Sequence, residues 1–181
     1  MIDSNNEIEL IEKALMGNQR AFKTLYDLHV DALYRFLSQF SDQPSQIEEW
    51  TQRAFIKAFK KLSQFNQRSS FKTWLFTIGL NEMRTDMRKK IHFEDLDDKY
   101  MEAESQETVE DSTIWKKAKS AIQQLTPEKR MICLLHIAED YSHAEIAQMI
   151  GITEGSSRII LHRAKQGLRT LGTVRTKKNF A

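Results

Sequence analysis

Tyr141-Ser142-His143-Ala144-Glu145-Ile146-Ala147-Gln148-Met149-Ile150-Gly151-Ile152-Thr153-Glu154 is the stretch that decides how this chain folds. Ser142 and Glu145 stand at the spacing of a capping box, in which the serine oxygen takes the orphan amide three residues on and the glutamate reaches back. A helix therefore starts at His143. Ile146, Met149 and Ile150 stripe it, and Gly151 supplies the left-handed residue that stops it. Ile152 plugs the turn and Thr153 caps again. Glu154 to Leu171 then reads as a last helix, with Ile160 or Leu161, Ala164, Leu168 and Leu171 on one face. Helix, glycine-containing three-residue turn, and a basic second helix together make a helix-turn-helix. An ordinary helical hairpin is the plainer alternative.

Working outward, Ile114, Ala118, Ala121, Ile122 and Leu125 form a helical stripe that ends at Thr126-Pro127. Pro127 suits the first position of a further helix running to about Glu139. Upstream, Glu94 to Asp111 holds nine acids against one base, Lys99, although the whole chain carries only +2. Two basic blocks flank that segment. Trp50 to Lys90 has ten bases and two acids, and Gly155 to the end has seven bases and no acid. Either block alone could be a solvated helix face. Two of them, with Phe55, Phe59, Phe65, Phe71 and Trp74 interleaved in the first, point to a polyanion with unstacked bases.

The first half is helical by the same logic. Phe22, Leu25, Tyr26, His29, Leu33, Phe36, Leu37 and Phe40 keep a three-and-four spacing, which predicts one long amphipathic helix from Arg20 to Phe40. Pro44 breaks it and opens the next. Ile47, Trp50, Ala54, Ala58 and Leu62 stripe a helix over about 45–62, a polar turn occupies Ser63 to Ser69, and a third helix spans about 70–90. With a shorter helix over Glu7 to Met16, this module has four helices. Only 6 Gly and 2 Pro in 181 residues nearly exclude an all-β fold, which needs frequent turn residues. Cys133 is the single cysteine, so no intramolecular disulfide forms. Neither a signal-peptide pattern nor a run approaching about 18 apolar residues is present, and a reducing cytoplasm is expected.

Catalysis needs convergent groups, and the chain shows no phosphate loop, nucleophile elbow or interpretable acid pair. No catalytic residue, cofactor or metal is expected. Cys133 and His136 lie three apart on one predicted helix, but two ligands without a second pair are read as packing. Trp74 fits either a core anchor or a stacking platform. Phe65 sits in a polar turn without an obvious core duty, among amides ready to read a base. His162 lies on the candidate recognition helix.

Together these residues resemble the bacterial RNA polymerase sigma factors of the small, extracytoplasmic-function (ECF) type, from about Ala14 to Leu171. Gly17-Asn18-Gln19-Arg20-Ala21-Phe22 with Leu25-Tyr26 is similar to the family's opening motif. Glu48 to Phe59 resembles its polymerase-binding helix, and Ser70 to Leu75 with Asn81 and Asp86 its promoter-melting helix. Leu125-Thr126-Pro127, Tyr141 to Ala147, Gly151 to Ser156 and Leu161 to Lys165 resemble its promoter-binding helix-turn-helix. The resemblance implies an all-α chain of two small helical domains: 1–92 for polymerase binding and promoter melting, and 113–173 for minus-thirty-five recognition. A flexible acidic linker over 93–112 would join them, able to thread a basic channel that later holds RNA, and 174–181 would form a basic tail.

It further implies that Glu48, Glu49, Gln52 and Arg53 meet core RNA polymerase. Phe65, Asn66, Arg68, Lys72, Trp74, Asn81, Arg84 and Arg88 would capture the nontemplate strand of the minus-ten element. Ser156, Arg158, Ile159, His162, Arg163 and Lys165 would meet the minus-thirty-five duplex, with Arg158 placed for a guanine. The implied partners are core polymerase, promoter DNA and a membrane-anchored anti-sigma factor holding the chain at the inner face of the membrane, with no small-molecule substrate. Three departures stand out. Arg53 replaces the family's usual acid, Ser157 replaces an apolar residue, and Ile159 and Ile160 replace small or basic ones, although both isoleucines cannot face the core. A stand-alone helix-turn-helix regulator, a hydrolase or metal-dependent enzyme of unknown type that mutating Cys133 and His136 would inactivate, and a sigma-domain mimic that binds partners without DNA are the alternatives.

Overall fold

The computed structural model describes residues 4–94 and 120–178. Every element among them is helical, and the chain divides into two compact units, Met1–Leu96 and Asp97–Ala181. Most of the acidic segment expected as a linker, and the Ile114 and Ala118 part of the stripe before Leu125, lie outside the described residues. Among the described residues no helix is long and apolar enough to cross a membrane.

The first unit holds α1 (Ser4–Leu15), α2 (Gln19–Leu37), α3 (Pro44–Lys60) and α4 (Phe71–Glu94). Asn18 caps α2, its Oδ1 accepting from the amides of Arg20 at 3.0 Å and Ala21 at 3.2 Å. α2 stops earlier than the apolar spacing predicts. Gln39 N and Phe40 N bond to the carbonyls three residues back, Phe36 and Leu37, and this tighter turn still buries Phe40. Pro44 opens α3, where its missing N–H costs nothing. A short 3₁₀ turn, Leu62–Gln64, leads into the loop before α4. There Ser70 Oγ accepts from Thr73 N at 3.1 Å.

α3 packs against α4 and α2, and α1 lies along α2. Leu25, Leu33, Leu37, Leu62, Leu75, Phe76, Leu80 and Met83 are fully buried between them. Burying each such side chain contributes roughly 1.5–3 kcal/mol. Phe55 and Phe71, two of the rings read with the basic block as exposed, are in this core too, at 3% and 1% exposure. Phe55 lies four residues from the buried Thr51 and Phe71 four from the buried Leu75, which places both rings inside whatever the charge of their neighbours.

In the second unit residues 120–123 are helical, followed by α5 (Pro127–Cys133), α6 (His143–Ile150) and α7 (Glu154–Lys178). The helix expected from Pro127 to about Glu139 runs without a break through Ala138, but its last five residues depart from α geometry. Leu134–Ala138 forms a π-turn, in which Glu139 N donates to Leu134 O across five residues at 3.1 Å. The wider turn buries both Leu134 and Leu135 and leaves Ile137 exposed. α5 and α6 pack on α7 around Met131, Ile132, Ile146, Leu161 and Ala164. α7 continues past Leu171 through Lys178, into the stretch set apart as a basic tail.

Candidate nucleic-acid interfaces

On α3 the exposed residues Glu48, Gln52 and Ile56 recur every four positions, with Glu49 beside them. Ile56 is 53% exposed. Reading the sequence did not single it out, although its place one turn beyond Gln52 was a usable signal.

Arg53 takes a different direction. Its guanidinium pairs with Asp86 of α4, its Nε lies 3.6 Å from Glu82 Oε2, and its Nη1 lies 3.6 Å from Glu49 Oε1. Trp50 Nε1 donates to the same Asp86 Oδ2 at 2.9 Å, and Lys57 pairs with Glu82, whose side chain is only 8% exposed. Burial alone would lower the Arg53 pKa. The Asp86 hydrogen bond and charge, aided by Glu49 and Glu82, outweigh it and hold the guanidinium above its usual range. The two acids of the first basic block thus face α3 cations.

With those acids occupied, another side of α4 carries the sequence-selected residues. Trp74, Asn81, Arg84 and Arg88 fall at intervals of seven, three and four, one stripe of a helix. Asn81 and Arg88 are exposed, Trp74 and Arg84 half-buried. The preceding loop meets the N-terminal end of that stripe. Phe65 is half-buried rather than free, with its ring 5.2 Å from Trp74 and 5.8 Å from Phe71 by centroid. It therefore does have a packing duty, as the outer member of an aromatic cluster in which it meets the buried Phe71 edge to face. Trp74 is neither fully core nor fully exposed. Asn66 Oδ1 accepts from Arg68 N at 3.2 Å and closes the loop through Gln67, which sits at φ 58°. Asn66 and Arg68 are exposed there. Lys72 is half-buried, its Nζ 5.1 Å from the Phe76 ring centroid.

In the second unit the capping box is complete. Ser142 Oγ accepts from Glu145 N at 3.2 Å, and Ser142 N donates to Glu145 Oε2 at 2.9 Å. Hydrogen bonds from the Ser142 hydroxyl and amide hold the Glu145 carboxyl below the usual range. Gly151 adopts φ 72°, and Thr153 Oγ1 accepts from Ser156 N at 3.1 Å to start α7. Ser157, Leu161 and Ala164 face inward from α7. Arg158, Ile159, His162, Arg163 and Lys165 are exposed, Ser156 is half-buried against Thr153, and Arg158 pairs with Glu154. The two isoleucines separate: Ile159 is 54% exposed and Ile160 half-buried.

Ser157 in an apolar position is satisfied by a polar chain. Its Oγ lies 2.9 Å from His143 Nδ1, the His143 ring stacks on His136 with centroids 4.5 Å apart, and His136 Nδ1 lies 2.8 Å from Tyr141 O. His136, within the π-turn, is thus occupied, Cys133 is buried, and no group of three metal-ligating side chains occurs among the described residues. Burial, His136 and Arg158 push the His143 pKa down, against an opposing pull from Glu154.

Two family models match this chain. Residues 25–91 match Sigma-70 region 2, and residues 116–168 match Sigma-70, region 4. The chain is 29% identical over 177 residues to the ECF RNA polymerase sigma factor BldN of Streptomyces coelicolor, covering 93% of this chain and 67% of that protein. Among solved structures it resembles the sigma factor RpoE of Bartonella quintana, in complex with the anti-sigma factor NepR. The TM-score is 0.71 at 28% identity, over 84% of this chain and 97% of that one. CnrH, in complex with the cytosolic domain of CnrY, superposes with a TM-score of 0.68 at 25% identity, over 95% and 99% of the two chains.

Proposed function

The chain belongs to the ECF-type sigma factors of RNA polymerase, and on that premise we propose that it is a dissociable subunit that directs core polymerase to promoters. The Glu48, Glu49, Gln52 and Ile56 ridge of α3 docks on core polymerase. Arg53, turned toward α4, holds that helix in place. Phe65, Asn66, Arg68, Lys72, Trp74, Asn81, Arg84 and Arg88 capture the opened nontemplate strand of the minus-ten element. Flipping a base out costs a few kcal/mol, which stacking on an aromatic ring at roughly 1–3 kcal/mol can offset, so melting needs no ATP. Ser156, Arg158, Ile159, His162, Arg163 and Lys165 meet the minus-thirty-five duplex in its major groove. The chain catalyses no bond chemistry of its own.

One observation carries the reading above the others. The exposed side of α7 displays Arg158, His162, Arg163 and Lys165, and the one acid in those turns, Glu154, is paired with Arg158. A polyanion meets cations there at the N-terminal half of a helix-turn-helix recognition helix.

RpoE and CnrH were both solved with partners, NepR and the cytosolic domain of CnrY. That likeness supports an anti-sigma partner that holds the chain inactive in the cytoplasm, and we further propose, from the family resemblance, that this partner is anchored at the inner face of the membrane. Run-off transcription with purified core polymerase tests the main reading. Core alone and chain alone should be silent on a specific promoter and the two together active, with transcript starts across a genome sharing an upstream pair of elements. A symmetric footprint by the chain alone, or starts sharing no such elements, would replace this reading with a stand-alone regulator.

A further inference from the structure

Two features of α7 have no explanation within the fold. Ile159 is a β-branched residue, an ordinary rather than favoured helix former, and it leaves half its surface in water between Arg158, His162 and Arg163. Its neighbours Ser157, Leu161 and Ala164 already fill the inward side, so among the described residues nothing calls for an isoleucine at 159. One turn earlier, on the same side of the helix, stands Gly155. A Cβ built there would meet only Thr153 Oγ1, at 4.0 Å, so the protein has room for a side chain that it does not use. A glycine with no internal neighbour is what close approach of an external backbone requires.

We propose that Ile159 is a specificity-determining residue that packs on the C5-methyl group of a thymine in the minus-thirty-five element, with Gly155 letting the DNA backbone close in beside it. This rests on the reading that α7 enters the major groove. The groove presents one apolar group that distinguishes bases, the thymine methyl, and an aliphatic side chain is its natural contact. The cations flanking Ile159 favour duplex DNA over an apolar protein surface as the occupant. Arg158 stands one residue away, so the thymine lies next to the guanine that Arg158 reads.

The test uses the holoenzyme on a promoter duplex identified by start mapping, with each thymine of the minus-thirty-five element replaced singly by deoxyuridine, which lacks only the methyl. At one thymine, adjacent to a guanine, binding should weaken about fourfold, the worth of one methyl group removed from water. With Ile159→Ser the same replacement should cost less than about 1.5-fold. Arg158→Ala should weaken binding while leaving the deoxyuridine penalty intact. Gly155→Leu should weaken binding to every duplex without lowering the unfolding midpoint.

The proposal is overturned if wild-type holoenzyme is indifferent to every deoxyuridine, if the element holds no thymine, or if the penalty survives in Ile159→Ser. In each of those cases the holoenzyme still binds its promoter, and the sigma-factor reading stands. A holoenzyme that shows no promoter binding would remove both.

Discussion

Replacing Asp86 by alanine should destabilise the first unit by about 2–4 kcal/mol, a figure that follows from what the carboxylate holds. It accepts the indole N–H of Trp50, a residue 2% exposed, and leaving that donor orphaned costs about 1–3 kcal/mol. It also pairs with Arg53. Stripping one partner from a fully buried pair costs about 3–5 kcal/mol. The Arg53 side chain is 32% exposed, however, and keeps Glu49 and Glu82 at 3.6 Å, which brings that share down to about 1 kcal/mol. Arg53→Ala alone should cost about 1–2 kcal/mol, since Asp86 then retains Trp50. Because both changes sever one contact, the double variant should fall short of their sum by about 1 kcal/mol. Urea unfolding of the full chain, followed by tryptophan fluorescence, measures all three, provided the denaturant slope is unchanged. If the two effects add to within about 0.3–0.5 kcal/mol, Arg53 and Asp86 are not coupled and the reading of Arg53 as a brace between α3 and α4 is wrong.

Gly151→Ala places a Cβ in open space but at φ 72°, and should lower the stability of the second unit by about 1–2 kcal/mol through backbone strain alone; an unshifted thermal midpoint would contradict this. The folded-state pKa of His143 lies below its ordinary 6.5, so the unfolded chain binds more protons as pH falls through that value. The stability this histidine contributes is therefore complete above about 6.5 and declines below it, and His143→Asn should flatten the dependence of the melting temperature on pH between 7 and about 5. Equal slopes in the two proteins would count against it. Ile56→Ser should leave unfolding unchanged within about 0.5 kcal/mol and weaken binding to core polymerase several-fold in a competition assay. Phe65→Ala should slow promoter opening about fivefold or more, read by permanganate reactivity of the opened strand, while duplex binding at the minus-thirty-five element is retained.

Much of the fold was legible because its punctuation is local chemistry. The Ser142 and Glu145 box, the left-handed Gly151 and the prolines at 44 and 127 act within a turn of themselves, and each starts or stops a helix where expected. Helix stripes at 47, 50, 54, 58 and 62 likewise all proved buried. What depended on distant partners was not legible. Arg53 could have faced polymerase on spacing alone, and its direction is set by Glu82 and Asp86 a whole helix later. Phe55 and Phe71 look like stacking rings when counted with the basic residues around them, yet helical phase sends them inward. The π-turn leaves no mark in apolar periodicity, since Met131-Ile132-Cys133-Leu134-Leu135 is apolar throughout and fixes no phase. Ile159 and Ile160 are adjacent and alike, so only the packed helix tells them apart.

The π-turn at Leu134–Ala138 has a consequence for how this unit tolerates change. A turn of this kind is an α-helix carrying one surplus residue, and each residue accounts for about 100° of rotation. Because the wider turn absorbs that surplus locally, deleting one of the five should restore a regular α-helix while Met131 and Ile132 keep their direction toward α7. Length is therefore less constrained here than elsewhere in the unit: a substitution of the exposed Ile137 or a one-residue gap in the π-turn should be absorbed, whereas a one-residue gap inside the regular α7, which rotates the flanking residues by about 100°, should dismantle the unit.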